Sequence, residues 1–194
     1  MHHCFMQDHA INGSDILMRN DYYKWVVPNY NNTSIKSSPL RLEIASKEAQ
    51  KEPVELKEII KIVNEFLLSM DMEAIPKPKM ELNAGQSYRK QLKEKGVFIN
   101  LDSEEDIVWM KFTVDGYLGV VGSGIDINFS YDNTSGEILN FLKKQWDERF
   151  ILAFPLIKSP QSLNKFDKHL MESGIGNYLT SHHIPILDFY SHNI

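Results

Sequence analysis

Ile107-Val108-Trp109-Met110-Lys111-Phe112-Thr113-Val114-Asp115-Gly116-Tyr117 contains a strand and the turn that reverses it. Val108, Met110, Phe112 and Val114 fall on one face and Trp109, Lys111 and Thr113 on the other, the period of two that marks a strand. Asp115-Gly116 between two alternating runs is a hairpin turn, because glycine tolerates the positive φ that such turns need. The return strand is expected over Tyr117–Ser130, with a bulge or bend at Gly122-Ser123-Gly124. Beyond that bend Ile125, Ile127 and Phe129 point one way and Asp126, Asn128 and Ser130 the other. A preceding strand over Val97–Leu101 completes a three-stranded antiparallel meander.

Toward the N-terminus, Leu56, Ile59, Ile60, Val63, Phe66, Leu67 and Met70 recur at spacings of three and four, which predicts an amphipathic helix. Pro53 suits its first turn, and Pro76 and Pro78 stop any continuation. A second helix is expected over Gln86–Glu94, ending at Gly96. A short strand is expected at Leu40–Ile44. Residues 1–38 read as a polar N-terminal extension with one short helix over Asp15–Val27 that Pro28 ends, leaving residues 39–194 as a single domain.

Toward the C-terminus, Thr134 and Glu137 form a capping-box pattern that opens a helix through Trp146, with Ile138, Leu142 and Trp146 on the core side. Phe150–Ile157 is continuously apolar, the pattern of a strand buried on both faces. A helix over Ser162–His182 follows, broken at Gly174–Gly176, and Pro185 leads into a last strand over Ile186–Tyr190. Helices between the later strands imply parallel crossovers. The expected class is therefore α/β, with α+β as the alternative: a mixed sheet with an antiparallel meander and late parallel strands, flanked by helices.

The 194 residues suffice for one good core, and 42% hydrophobic with 24% charged residues is ordinary globular composition. No run of about 18 apolar residues occurs, and the N-terminus lacks the basic-then-apolar pattern of a secretory signal, so a cytoplasmic location is expected. The single cysteine, Cys4, forms no internal disulfide. With 26 acids against 21 bases, scattered rather than clustered, the net charge of −5 disfavours general nucleic-acid binding.

Asp115, Asp126 and Asn128 make the sharpest chemical constellation. Two acids at the ends of a hairpin, with a third polar group two residues on, suit a hard divalent cation such as Mg²⁺ or Mn²⁺. Such a cation activates water and neutralises charge on a phosphodiester. In arrangement, residues 53–157 resemble the core of the PD-(D/E)XK nuclease superfamily. The resemblance implies Asp115 and Asp126 as metal-binding and catalytic acids, Asn128 at the position of the lysine, and Glu65 or Glu58 as the helix acid. Val114 stands where the family has proline, and Asn128 lacks the lysine's charge. The plainer reading makes Asp115 a turn residue and Asp126 and Asn128 the solvent face of a strand.

His2, His3, Cys4 and His9 lack the paired spacings of a zinc site. His169, His182, His183, Asp188 and His192 gather polar groups near the C-terminus, where a histidine at a helix end gains from the dipole without any catalytic role. A small-ligand site at the ends of the late strands, near Pro155 and Asp188, is a further expectation. The favoured function is a cofactor-free, non-catalytic protein that binds another protein, as inhibitors and immunity proteins of mobile elements do. Glu104, Glu105 and Asp106 are the residues expected to meet a basic partner, and the metal-dependent nuclease is the alternative.

Overall fold

An alternating strand hides one face when a single layer covers it. Strand β2 (Ile107–Thr113) is buried along its whole length instead, because both of its faces are covered. The computed structural model describes residues 39–75, 80–96, 107–124, 127–155 and 168–188. In it β2 lies between β3 (Leu118–Ser123) and β4 (Trp146–Pro155), and β1 (Met80–Glu81) pairs with the far edge of β4. All these pairings are antiparallel, in the order β1-β4-β2-β3, with Lys111 opposite Val120 on one side and Ile151 on the other.

Helices α1 (Pro39–Glu48), α2 (Leu56–Ser69), α3 (Tyr88–Glu94), α4 (Thr134–Leu142) and α5 (Lys168–Ser181) flank the sheet. On one face Ile59, Ile62, Val63, Phe66 and Leu67 of α2 join Met171, Ile175 and Leu179 of α5 over Val108, Met110 and Phe112. On the other face Ala45 of α1, Leu92 of α3 and Ile138 and Leu139 of α4 close over Ile107 and Trp109, with Ile127, Phe129 and Trp146 among them. Each large apolar side chain removed from water contributes about 1.5–3 kcal/mol, so the helices are held mainly by these two layers.

The mixed helix-and-sheet class expected from the sequence is what the chain adopts, and the α2 stripe packs as its spacing implies. Several details differ. Leu40–Ile44 is helix rather than strand. Leu40, Leu42 and Ile44 alternate like a strand, yet Arg41, Ile44, Ala45 and Glu48 are the buried positions, a helical stripe opened by Pro39. The N-cap of α4 is Asn133, whose side chain accepts the Gly136 N–H at 2.8 Å, in place of Thr134. That helix stops at Lys143, which takes left-handed φ and ψ of 56° and 36°, so Trp146 opens β4 instead of ending the helix. Helix α5 runs unbroken through Gly174 and Gly176, both buried.

Among the described residues the expected late parallel strands do not appear: β4 is antiparallel to both neighbours, and the single parallel contact is a bridge between Leu118 and Ile186. β4 is the strand that pairs with β2 on the side away from β3, and the strand expected over Val97–Leu101 lies outside the described residues. The bulge falls at Gly119, skipped where Lys111 pairs with Val120 and Phe112 with Leu118. The bend past β3 occurs at Gly124, with φ of 115°. Among the described residues no helix is long and apolar enough to cross a membrane.

Candidate functional site

The hairpin end holds its polar groups to one another. Thr113 Oγ1 donates to Asp115 Oδ1 at 2.5 Å, and Lys144 Nζ bridges to Asp115 Oδ2 at 2.5 Å while lying 3.8 Å from the Tyr117 ring centroid. Burial pushes the Asp115 carboxyl up, but the bonds from Lys144 and Thr113 outweigh it and hold the group below the ordinary carboxylate value. Tyr117 Oη in turn donates to the carbonyls of Ala49 and Lys51, at 3.1 and 2.7 Å, which ties the hairpin to the segment after α1.

Asn128 is exposed, and its Oδ1 accepts from Ser130 N at 3.2 Å and Asn133 Nδ2 at 3.3 Å, shaping the turn into α4. Glu65 is exposed on α2, in the layer across the sheet from Asn128, so these two are not brought together. Glu58 pairs with Lys61 at 3.1 Å. Asp126, Glu104, Glu105 and Asp106 lie outside the described residues, as do His2, His3, Cys4, His9 and His192. Among the described residues no group of three His, Cys, Asp or Glu side chains is placed to hold a metal ion.

His182 and His183 are exposed where α5 ends. The His182 ring packs on Tyr178 at 4.4 Å between centroids, and its Nδ1 lies 2.9 Å from the Tyr178 carbonyl oxygen. Asp188, by contrast, is buried: Arg41 donates to its Oδ1 through Nε at 2.9 Å and also through Nη2. It therefore fastens α1 to the segment that follows α5, and among the described residues no parallel strand pair underlies a ligand site near Pro155.

Lys111 is the residue that alternation misassigns. It shares a face with Trp109, so a strand with one wet face would expose it, yet only 2% of it is accessible. Its Nζ lies 4.3, 5.1 and 5.6 Å from the ring centroids of Trp146, Trp109 and Phe129 and donates to the Asn128 carbonyl at 2.9 Å. Burial pushes the amine down to about 8, with the charge of Asp188 acting the other way. Gly119 and Gly122 make room for the indoles. A Cβ at Gly119 would stand 2.4 Å from Trp146 Cζ3, and one at Gly122 would stand 2.3 Å from Trp109 Cη2. Two glycines inside a strand are the sequence signal of such close approach.

On the opposite face Glu172 of α5 is also buried, and Ser123 Oγ donates to its Oε2 at 2.7 Å. Nothing in the spacing of polar residues around Ser162–His182 distinguishes it from its neighbours.

A concave surface, a cleft of about 710 Å³, lies at the β1 edge of the sheet. Leu56, Leu82 and Phe150 supply its apolar part, and Glu81, Asp147, Lys95 and Arg149 supply charges of both signs. Arg149 Nε lies 3.5 Å from Asp147 Oδ1. Asn83 of the lining is held from behind by Gln91, whose carboxamide accepts from Asn83 N at 2.6 Å and donates to Asn83 O at 3.0 Å. A side chain thus takes the place of a neighbouring strand just past β1, and it does so from α3, which Ser87 caps by accepting the Lys90 N–H. No family model, curated protein or solved structure matches this chain.

Proposed function

We propose that this chain is a non-catalytic binding protein and that the cleft beside β1 takes a segment of a protein partner. The cleft itself carries the reading. Its volume of about 710 Å³ is that of a surface able to engulf several side chains, and its lining pairs an apolar part with a few charged groups. Two acids and two bases at the rim complement a segment bearing both signs of charge, and such complementarity serves register and specificity more than raw affinity. Because Gln91 already occupies the main-chain groups of Asn83, the partner's side chains, rather than an added strand, make the contacts there. In this reading Glu104, Glu105 and Asp106 add a second contact for basic groups of the partner, and the protein works in the cytoplasm, which a single cysteine suits.

Partner capture with three forms of the protein tests the proposal: the wild type, Lys95→Glu/Arg149→Glu in the cleft, and Lys57→Glu/Lys61→Glu on the exposed side of α2. The expected result is a partner retained by the wild type and the α2 variant, lost with the cleft variant and cross-linked at Lys95. A partner bound equally by the cleft variant removes the cleft as the docking site.

A further inference from the structure

The tip of the β2–β3 hairpin sets two requirements against each other. Its loop, Val114-Asp115-Gly116, closes with Gly116 N donating to Thr113 O at 2.9 Å and Thr113 N to Tyr117 O at 2.9 Å. Gly116 takes a φ of 89°, a left-handed position that favours glycine. Glycine after aspartate is also the pair most prone to rearrange, because no Cβ shields the glycine nitrogen from the preceding carboxyl. In that rearrangement the Gly116 nitrogen bonds to Asp115 Cγ, and one carboxyl oxygen leaves as water, taking the acid's proton and the amide's. Water then reopens the cyclic imide. Cleavage at Cγ restores aspartate, whereas cleavage at the former main-chain carbonyl leaves isoaspartate, with one extra methylene in the chain. Asp115 and Gly116 are both exposed, so water reaches the tip.

We propose that Asp115-Gly116 is a site of isomerisation to isoaspartate through this imide, and that Thr113 and Lys144 hold it in check while the chain is folded. Lys144 Nζ holds Asp115 Oδ2 at 2.5 Å, and Thr113 Oγ1 donates to Oδ1 at 2.5 Å. The oxygen that must leave is therefore bonded whichever of the two it is, and the carboxyl turns onto the Gly116 nitrogen only by giving up those bonds. The nucleophile is held as well, since the Gly116 N–H is engaged by Thr113 O. The contacts also favour the carboxylate, which expels an oxygen far less readily than the neutral acid does. Burial pushes the Asp115 carboxyl up, and the bonds from Lys144 and Thr113 outweigh it. Both guards are themselves fixed. Past the end of α4, Lys144 N donates to Leu139 O at 2.9 Å, and its ammonium lies 3.8 Å from the Tyr117 ring centroid. The Thr113 hydroxyl accepts the Tyr117 N–H at 3.0 Å. An added methylene at residue 115 draws the carboxyl away from Lys144 and disturbs the turn from which Tyr117 reaches the carbonyls of Ala49 and Lys51.

Isoaspartate at residue 115 is measured by peptide mapping with electron-based fragmentation, which separates two isomers of equal mass. The full chain is incubated at neutral pH, native and in urea, with every variant held well below its melting midpoint. The native wild type is expected to form isoaspartate about tenfold or more slowly than the same chain in urea, because the reaction must wait for the tip to open. Lys144→Met and Thr113→Val each remove one contact to Asp115 and are expected to raise the native rate about threefold or more. Lys61→Met, which removes a lysine from the exposed side of α2, is expected to leave the rate at the wild-type value. Equal wild-type rates in the native and urea samples overturn the proposal. So do rates in both Lys144→Met and Thr113→Val that are no higher than in Lys61→Met.

Discussion

The two faces of the central sheet are buried to the same depth by different chemistry. Toward α2 and α5 the layer is almost wholly aliphatic and phenyl, with Glu172 as its buried acid. Toward α1, α3 and α4 it holds both tryptophans of the central sheet, a lysine under their rings and the Arg41–Asp188 pair. The first layer needs only apolar side chains at the right period, so many sequences satisfy it. The second works only when each polar group meets its partner, because a half-satisfied buried network costs more than an apolar one. Specificity of the fold therefore resides on the second face and generic burial on the first.

The largest effect that sharpens this contrast is expected at the buried ion pair. Asp188→Ala leaves the Arg41 guanidinium buried without its carboxylate and should cost about 3–5 kcal/mol in urea unfolding, while Arg41→Met/Asp188→Leu should recover most of that loss. Equal losses in the single and double variants break the picture of a charge-matched clamp. Next, Gly122→Ala places a Cβ against the Trp109 ring and should cost about 1–3 kcal/mol. The cost should shrink when Trp109→Leu is added, and additive costs would show that the two positions do not share the space. The smallest effect near neutrality is expected from Lys111→Met, which keeps the stem and removes the charge, and should be neutral or stabilising by about 1–2 kcal/mol. Its signature lies in pH. The folded amine releases its proton near 8 and the unfolded one near 10.5, so wild-type stability should rise across that window, and the Met variant should lose the rise.

Legibility followed the same divide. The α2 helix could be read because Ile59, Val63, Phe66 and Leu67 all face one layer at helical spacing. The hairpin could be read because Asp115-Gly116 interrupts an alternation and Gly116 takes a φ of 89°. The second face was misread residue by residue. Lys111 gave no sign of being covered, Trp146 looked like the last turn of a helix, and Leu40–Ile44 like a strand. In each case the deciding partner is remote in sequence: Asn128 for Lys111, Gly119 for Trp146, Asp188 for Arg41. Periodicity reports which side of an element is apolar, and it says nothing of whether the other side is covered as well. The cleft was not legible, since its lining comes from five short stretches between Leu56 and Phe150. Glu172 gave no signal, because burial of an acid depends on a helix–sheet contact that sequence spacing leaves undefined.

The fit of Trp109 on Gly122 and Trp146 on Gly119 also constrains how this chain can vary. Each indole and its glycine behave as one unit of volume divided between two positions, so neither can be altered freely while the other is kept. Saturation mutagenesis should accordingly find the two glycines among the least tolerant surface-distant positions, and compensating changes should arise only as exchanges: a smaller ring at 109 or 146 alongside a larger residue at 122 or 119. Those four positions, taken jointly, are the pattern by which a diverged copy of this fold would be recognised after its helices had lost every shared letter.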